Sequence, residues 1–516
     1  YLKSEGFEPV VYEQASAIGG HWSGDARFSA VWPSMRANTS RTMTSFSDLA
    51  YPAGTAVYPT NQEVGVYLRR FAALHDLDRH VRLGTRVDRV SRDAPSGEWI
   101  VRATAADGTS SVERFDRVVA ATGRYHQPSI PDVPGLQSFS GSGGVVHSVA
   151  YKDPDRYRGL RVLVAGCAIS SLEIASDLAM LGARRVVTTQ RRQRYVLQKL
   201  ASGVPLDHVA FTRFGALAAE SFPPEVGAAN LKAFILKTSG NPEQFGAPRP
   251  AENVFDAGVT LSQHYLPLVA EGRITIKPWI TSVSGRTVVF EDGSEEVVDA
   301  VIFGTGYQLS VPYFDEEIRR TLNVDAQHLD LHAFTFHPDL AGFACIGLFH
   351  QIGPYFPVLE LQARAIAYTF SGRRPPPGDD EMRQGVEQYR ATRHLTQIIP
   401  MHISARLFAQ QAGAEPDLAR RPELARALLF GPLSPISFRL DGPDSLPDAA
   451  DHVVSTARMF GAVPSLELTD EQTAQLRGLA GARGDGAFAE FVERVTKNRD
   501  SGLGTRGSDR AGRAGL

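Results

Sequence analysis

Residues 161–192, RVLVAGCAISSLEIASDLAMLGARRVVTTQRR, carry the reading that decides the fold. Arg161–Ala165 is an apolar run of strand length and Gly166 opens a turn. Apolar residues then recur at helical spacing from Ile169 to about Leu181, and Arg185–Thr189 is a second β-branched run. Strand, glycine turn, helix and strand in this order make a βαβ unit with parallel strands. A single turn of this kind occurs in many α/β proteins, so its meaning depends on what flanks it.

The flanks repeat each other. Residues 99–123, WIVRATAADGTSSVERFDRVVAATG, run from a strand through an Asp107-Gly108 hairpin signal to an apolar strand ending in Thr122-Gly123. Residues 287–306, TVVFEDGSEEVVDAVIFGTG, follow the same scheme, with Asp292-Gly293 as the turn and Thr305-Gly306 as the end. Glycine where a strand leaves a sheet lets the backbone take positive φ or approach a ligand, and ligands of such sheets sit at that carboxyl edge. The layout predicts an α/β protein of two nested Rossmann-like units. The outer unit comprises 1–155 and 301–460, the latter with a C-terminal helical region; the inserted unit is 156–300, and 461–516 is an extension. At the front, FEPVVYE (7–13) reads as a strand ending in the acid Glu13, and YLKSEGF as a last helical turn stopped by Gly6. In a dinucleotide-binding unit that acid binds ribose hydroxyls and follows a first strand and a G-x-G-x-x-G turn. No such turn stands in residues 1–12, so the first βα element of the outer unit is expected to be missing and the record truncated.

Composition sets the class. A chain of 516 residues exceeds the roughly 250–300 at which one core stops growing. Its 54 basic and 57 acidic residues leave −3, which points to neither nucleic acid nor an anionic membrane as partner. Cys167 and Cys345 are far apart in sequence, so no disulfide framework or dithiol centre is expected; nor is a metal site. No apolar run reaches 18 residues, and a cytoplasmic location is the default. The tail from about 498 is rich in Gly, Ser, Arg and Asp and is expected to be disordered.

Several segments in fixed order carry a resemblance. They are Glu13 with Gly19-Gly20-His21-Trp22; Met35-Arg36-Ala37-Asn38-Thr39 with Phe46-Ser47-Asp48; Ala121-Thr122-Gly123; His147-Ser148 with Tyr151; and the Gly166 turn. Phe303-Gly304-Thr305-Gly306-Tyr307, Glu360-Leu361-Gln362-Ala363-Arg364, and Gly431-Pro432-Leu433-Ser434-Pro435 with Phe438-Arg439-Leu440 complete the series. From Tyr1 to about Phe460 the chain resembles the flavin-containing monooxygenases with two dinucleotide-binding domains, on the dimethylaniline monooxygenase side. The resemblance implies FAD in the outer unit, NADPH in the inner one, O2 as co-substrate, and oxygenation of a small amine or sulfide through a C4a-(hydro)peroxyflavin. It implies FAD contacts at Glu13, Gly20, Trp22 and Asn38, and cofactor contacts at His21, Thr39, Thr122, Gly123, Thr305 and Gly306. NADPH contacts are implied at Gly166, Ala168, Ser170, Ser171, Arg191 and Arg192. Asn38 is the implied catalytic residue, hydrogen-bonding the oxygen adduct; an Asn in a polar stretch also commonly caps a helix or forms a turn.

Charge separates NADPH from NADH. Thr188-Thr189-Gln190-Arg191-Arg192 has no acid for a ribose 2′-hydroxyl, and guanidinium forks suit a 2′-phosphate; the alternative is a solvated basic RRQR patch. Two departures from the family pattern stand out. Ala168 replaces the second glycine of the inner turn, so a β-carbon would crowd the pyrophosphate. Five residues, not three, separate Phe139-Ser140-Gly141 from His147, which is read as a linker-geometry residue. Tyr151 stands where ketone-oxygenating Baeyer–Villiger relatives have Trp, favouring nitrogen or sulfur; a Baeyer–Villiger enzyme and a non-catalytic relative are the alternatives.

Overall fold

The computed structural model describes residues 1–25, 27–395 and 398–500, with side chains to residue 497. Its centre is a five-stranded, all-parallel sheet in the spatial order Ile274–Lys277, Arg185–Thr189, Arg161–Ala165, Ala300–Phe303, Gly144–His147. The strands at 161 and 185 and the helix Ile169–Leu181 between them occupy the residues the spacing predicts. Ala300–Phe303 is buried at every position, as a strand covered on both faces must be. Outward from Arg161–Ala165, the next strands Arg185–Thr189 and Ile274–Lys277 lie on one side, and the last strand Ala300–Phe303 with the earlier Gly144–His147 on the other. That is a topological switch point, with the Gly166 turn at its carboxyl end.

Both echoes are three-stranded antiparallel meanders that feed a parallel strand. Thr85–Arg92, Trp99–Ala105 and Ser110–Phe115 form the first; Ile280–Ser284, Thr287–Phe290 and Glu295–Val297 form the second. The sequence pattern predicts one strand after Asp107-Gly108. It is two, because Ser110–Phe115 stays in the meander while Val118–Ala120 pairs in parallel with Phe343–Cys345. Trp99, 0% exposed, locks the two together by donating its indole N–H to the Ala341 carbonyl.

The outer unit is built of separate short ladders. Val11–Tyr12 pairs in parallel with Val81–Arg82; only these two residues of the FEPVVYE stretch are strand. Gly6 closes the helical turn Lys3–Glu5 with a left-handed φ of 88°. Among the described residues no strand joins this ladder to Val118–Ala120 and Phe343–Cys345.

Helices Phe356–Phe370 and Met401–Ala412 pack a core of Met43, Leu361, Met401 and Phe408 under the Asn38 segment. In the extension from 461, Asp470–Arg483 and Gly486–Asp500 are helices, and Leu476, Leu479, Phe488 and Phe491 bury against Leu217 and Leu429. The expected disorder from about 498 falls largely on 501–516, outside the described residues. Among the described residues no helix is long and apolar enough to cross a membrane.

Candidate active site

The inner turn is shaped by close packing. Gly166 has φ +120°, and a β-carbon on it would lie 2.6 Å from both the Gly304 carbonyl and the Ser171 hydroxyl. Ser171, wholly buried, donates to the Gly304 carbonyl at 3.0 Å, so the two glycines and the serine pin the helix to the sheet edge. Ala168 is the N-cap of helix Ile169–Leu181, in extended backbone with no side-chain cap; Ser170 sits half-buried in the first turn. The first N–H groups therefore lack a side-chain acceptor, a configuration that attracts anions.

Three arginines follow strand Arg185–Thr189, whose last carbonyl accepts the Gly166 N–H. Arg191 lies 4.7 Å over the Trp279 ring, and Arg192 donates to the Asp256 carbonyl at 2.8 Å. Arg194 stands beside the Cys167 thiol, which burial pushes up while the guanidinium opposes the shift. None of the three has a carboxylate partner among the described residues. Uncapped amides and unpaired guanidinium groups fit the phosphates of NADPH. Arg194 was not singled out in the sequence, although it is the last arginine of the RRQR run.

On the outer side, Gly19 and Gly20 (φ +131° and +54°) turn the chain beneath helix Asn61–Leu74. A β-carbon on Gly65 of that helix would stand 2.4 Å from the Trp22 carbonyl. His21 accepts the Ala30 N–H, and burial, His126 and Lys152 lower its affinity for a proton. One Glu13 carboxylate oxygen accepts the Ala15 N–H at 2.7 Å; the other has no partner among the described residues. The Trp22 indole N–H and the half-buried Asn38 amide are likewise without hydrogen bonds there.

Around Asn38 the segment is tied down. Asp207, 6% exposed, accepts the Ser40 N–H at 2.6 Å, and His208 Nε2 lies 2.7 Å from the Thr42 hydroxyl. Thr39 and Thr44 hydroxyls share a 2.7 Å hydrogen bond. Burial pushes Asp207 up to about 6 and His208 down to about 4. Residues 207 and 208 are some 170 positions from Asn38 in sequence, and no spacing rule signals them.

The two Thr-Gly ends meet through the connection between the units. Gln127–Pro128 pairs antiparallel with Tyr307–Gln308, the Gly306 carbonyl accepts the Ser129 N–H, and the Thr305 hydroxyl donates to the Ser129 carbonyl. Gly123 and Gly306 have φ +72° and +85°; the Thr122 hydroxyl lies 2.7 Å from the Tyr313 hydroxyl. His147 is 4% exposed, its Nδ1 accepting the Val149 N–H and its Nε2 bonding the Gly306 carbonyl at 2.9 Å. One neutral tautomer satisfies both bonds, which is a linker role.

For FAD, the free Glu13 oxygen fits the ribose end and the unpartnered Asn38 amide fits the ring end, while residues 1–12 hold no glycine-rich pyrophosphate turn. Residues 2–471 match the Flavin-binding monooxygenase-like family. The N-oxide-forming dimethylaniline monooxygenase 2 of Rattus norvegicus is 31% identical over 477 residues, 87% of each chain. Flavin-containing monooxygenase 2 of Homo sapiens is 30% identical over 469 residues, 85% of each. Among solved structures, S-allyl-L-cysteine S-oxygenase from Allium sativum has a TM-score of 0.59 at 24% identity, over 89% of this chain and 94% of that one. Cyclohexanone monooxygenase from Rhodococcus sp. Phi1 has a TM-score of 0.59 at 16%, over 80% and 93%. These two likenesses bear on the fold alone, which is the two-unit Rossmann-type flavoprotein fold. By the extent of the family match and of the curated relatives, the chain belongs to the flavin-binding monooxygenase-like family, whose enzymes use FAD, NADPH and O2 on small molecules.

Proposed function

We propose that this enzyme oxygenates a soft nucleophilic nitrogen or sulfur of a small molecule. One atom of O2 enters the substrate and the other leaves as water, with the two electrons coming from NADPH. The observation that carries the reading is the Asn38 amide, unpartnered while Ser40 and Thr42 beside it are held by Asp207 and His208. The curated relative supports a nitrogen centre, being N-oxide-forming. Tyr151, which stands where ketone-oxygenating relatives have Trp, supports it too; it is 0% exposed and its hydroxyl donates to Asp177 at 3.2 Å.

In this reading the five-stranded sheet, from Gly144–His147 to Ala300–Phe303, carries the NADPH unit, and the segments before and after it form the FAD unit. FAD when bound supplies electron transfer and oxygen activation. The chain's part is binding and orientation. Glu13 accepts hydrogen bonds from ribose hydroxyls, and the helix end at Ala168–Ser171 faces the NADPH pyrophosphate. Arg191 and Arg192 take the 2′-phosphate, and Asn38 donates from its side-chain N–H to the oxygen being transferred. The test is aerobic turnover of the yellow holoenzyme with N,N-dimethylaniline, methyl p-tolyl sulfide and cyclohexanone, products read by mass spectrometry. N-oxide or sulfoxide is expected; lactone alone, or NADPH oxidation yielding no oxygenated product, refutes the proposal.

A further inference from the structure

Six arginines are buried among the described residues: Arg124, Arg213, Arg364, Arg406, Arg426 and Arg439. Four of them pair with carboxylates, Arg213 and Arg406 with Glu415, and Arg364 and Arg439 with Asp444. Arg426 has no carboxylate but donates to the Ser465 carbonyl and hydroxyl and the Glu467 carbonyl. Arg124 differs from all five. It is 5% exposed, makes one hydrogen bond, to the Gln327 carbonyl at 3.1 Å, and has no ion pair among the described residues. A guanidinium carries five N–H donors, and a buried charge left uncompensated is costly. Its other contact is the Tyr125 ring, 6.0 Å from the guanidinium, so the remaining N–H donors are free to take an anion.

Arg124 also lines a cavity of about 210 Å³. Phe334, Phe349 and Tyr389 make an apolar wall, and His350 faces the same space. Two other polar groups there already have partners: Arg393 bonds Asp330 at 2.6 Å, and His328 lies 3.1 Å from Asp325. His350 makes no side-chain hydrogen bond, and burial with Arg124 and Arg194 nearby pushes it down to about 4, so it is neutral and keeps one N–H to donate. The cavity lies below the ~300 Å³ of drug-sized sites, too small for a nucleotide cofactor. It adjoins Gly123, at the carboxyl edge where the Thr-Gly end leaves the sheet.

We infer that this cavity is a carboxylate subsite and that the substrates are small thioether or amine acids, the carboxylate held by Arg124 and His350 and the chain lying on the aromatic wall. The inference rests on the nitrogen- or sulfur-oxygenating reading for the reaction, but not for the binding. Two measurements on the holoenzyme test it. In the first, calorimetry compares pentanoate with pentanamide; pentanoate binds selectively, Arg124→Gln weakens it about 10- to 100-fold, and Arg124→Lys recovers part of the loss. In the second, kcat/KM is compared for 3-(methylsulfanyl)propanoate and its uncharged alcohol. The acid is favoured by about tenfold or more, and Arg124→Gln brings that ratio toward one. Equal binding of acid and amide, or pentanoate affinity unchanged in Arg124→Gln, overturns the inference, as does competition by chloride alone with no preference between acid and amide. Selective pentanoate binding without any oxygenation of sulfur or nitrogen keeps the subsite and overturns the function proposed above. Thermal stability separates a structural arginine: removing an uncompensated charge leaves the melting temperature unchanged or raised, and a large fall refutes the unpaired state.

Discussion

Replacing Gly304 with alanine tests how the inner nucleotide turn is held. The new β-carbon would stand 2.1 Å from the Ser171 hydroxyl and 3.1 Å from the Ser171 β-carbon and N–H nitrogen. No rotamer at a fully buried serine relieves all three, so the helix start must move from the sheet edge. Overpacking of this kind costs ~1–3 kcal/mol, and the displaced Ser171–Gly304 hydrogen bond adds about 1 kcal/mol. The expected loss for Gly304→Ala is therefore about 2–4 kcal/mol. Ser171→Ala alone loses only the hydrogen bond, about 1 kcal/mol. In the double variant the hydroxyl that makes the tightest contact is gone, leaving the 3.1 Å contacts, which a shift of a few tenths of an ångström accommodates. The double variant should be less destabilised than Gly304→Ala, a favourable coupling of about 1–2 kcal/mol. Urea unfolding followed by fluorescence gives the midpoints, and titration of protein fluorescence gives the NADPH dissociation constant. That constant should rise in Gly304→Ala and recover in the double variant, because the same helix end carries the free N–H groups. Additive midpoints, or a Gly304→Ala protein indistinguishable from wild type, would refute this packing argument.

Other predictions follow from the same geometry. Ala168→Gly removes the β-carbon proposed to crowd the pyrophosphate and should tighten NADPH about fivefold, roughly 1 kcal/mol; an unchanged dissociation constant sinks that crowding. Asn38→Ala should keep NADPH oxidation while product falls about tenfold or more and hydrogen peroxide rises; product and peroxide in wild-type proportion would remove Asn38 from the chemistry. Asp207 is raised from 3.8 to about 6 by burial, so its native pKa lies above its unfolded one. Its contribution is present when the carboxyl is protonated, at low pH, and is lost as pH rises through about 6. Between pH 7.5 and 5 the wild type should gain about 1.4 kcal/mol relative to Asp207→Asn. Denaturation midpoints of the two proteins that track in parallel across that range would show that Asp207 titrates elsewhere.

The inner unit was legible because each of its signals is local. A continuous apolar run, a glycine needing φ +120°, and apolar residues at helical spacing specify Arg161–Thr189 without reference to anything distant. The paired echoes were legible for the same reason, since Asp-Gly turns and Thr-Gly ends act within a few residues. Legibility fell where pairing is short and partners are remote. FEPVVYE contributes only Val11–Tyr12 to a ladder, and helix Asp470–Arg483 carries weak periodicity that only burial against Leu217 and Leu429 makes decisive.

Sequence alone determined the two-unit α/β plan, the family resemblance and the candidate cofactor residues, because backbone preference and hydrophobic period are properties of neighbours along the chain. Tertiary structure decided which polar groups are satisfied. It ties Ser40 and Thr42 to Asp207 and His208, joins His147 to Gly306, and leaves Asn38 without a partner and Arg124 with a single bond. The physical reason is desolvation: whether an amide or a guanidinium still needs a partner depends on what the fold brings within hydrogen-bond reach after water has been removed.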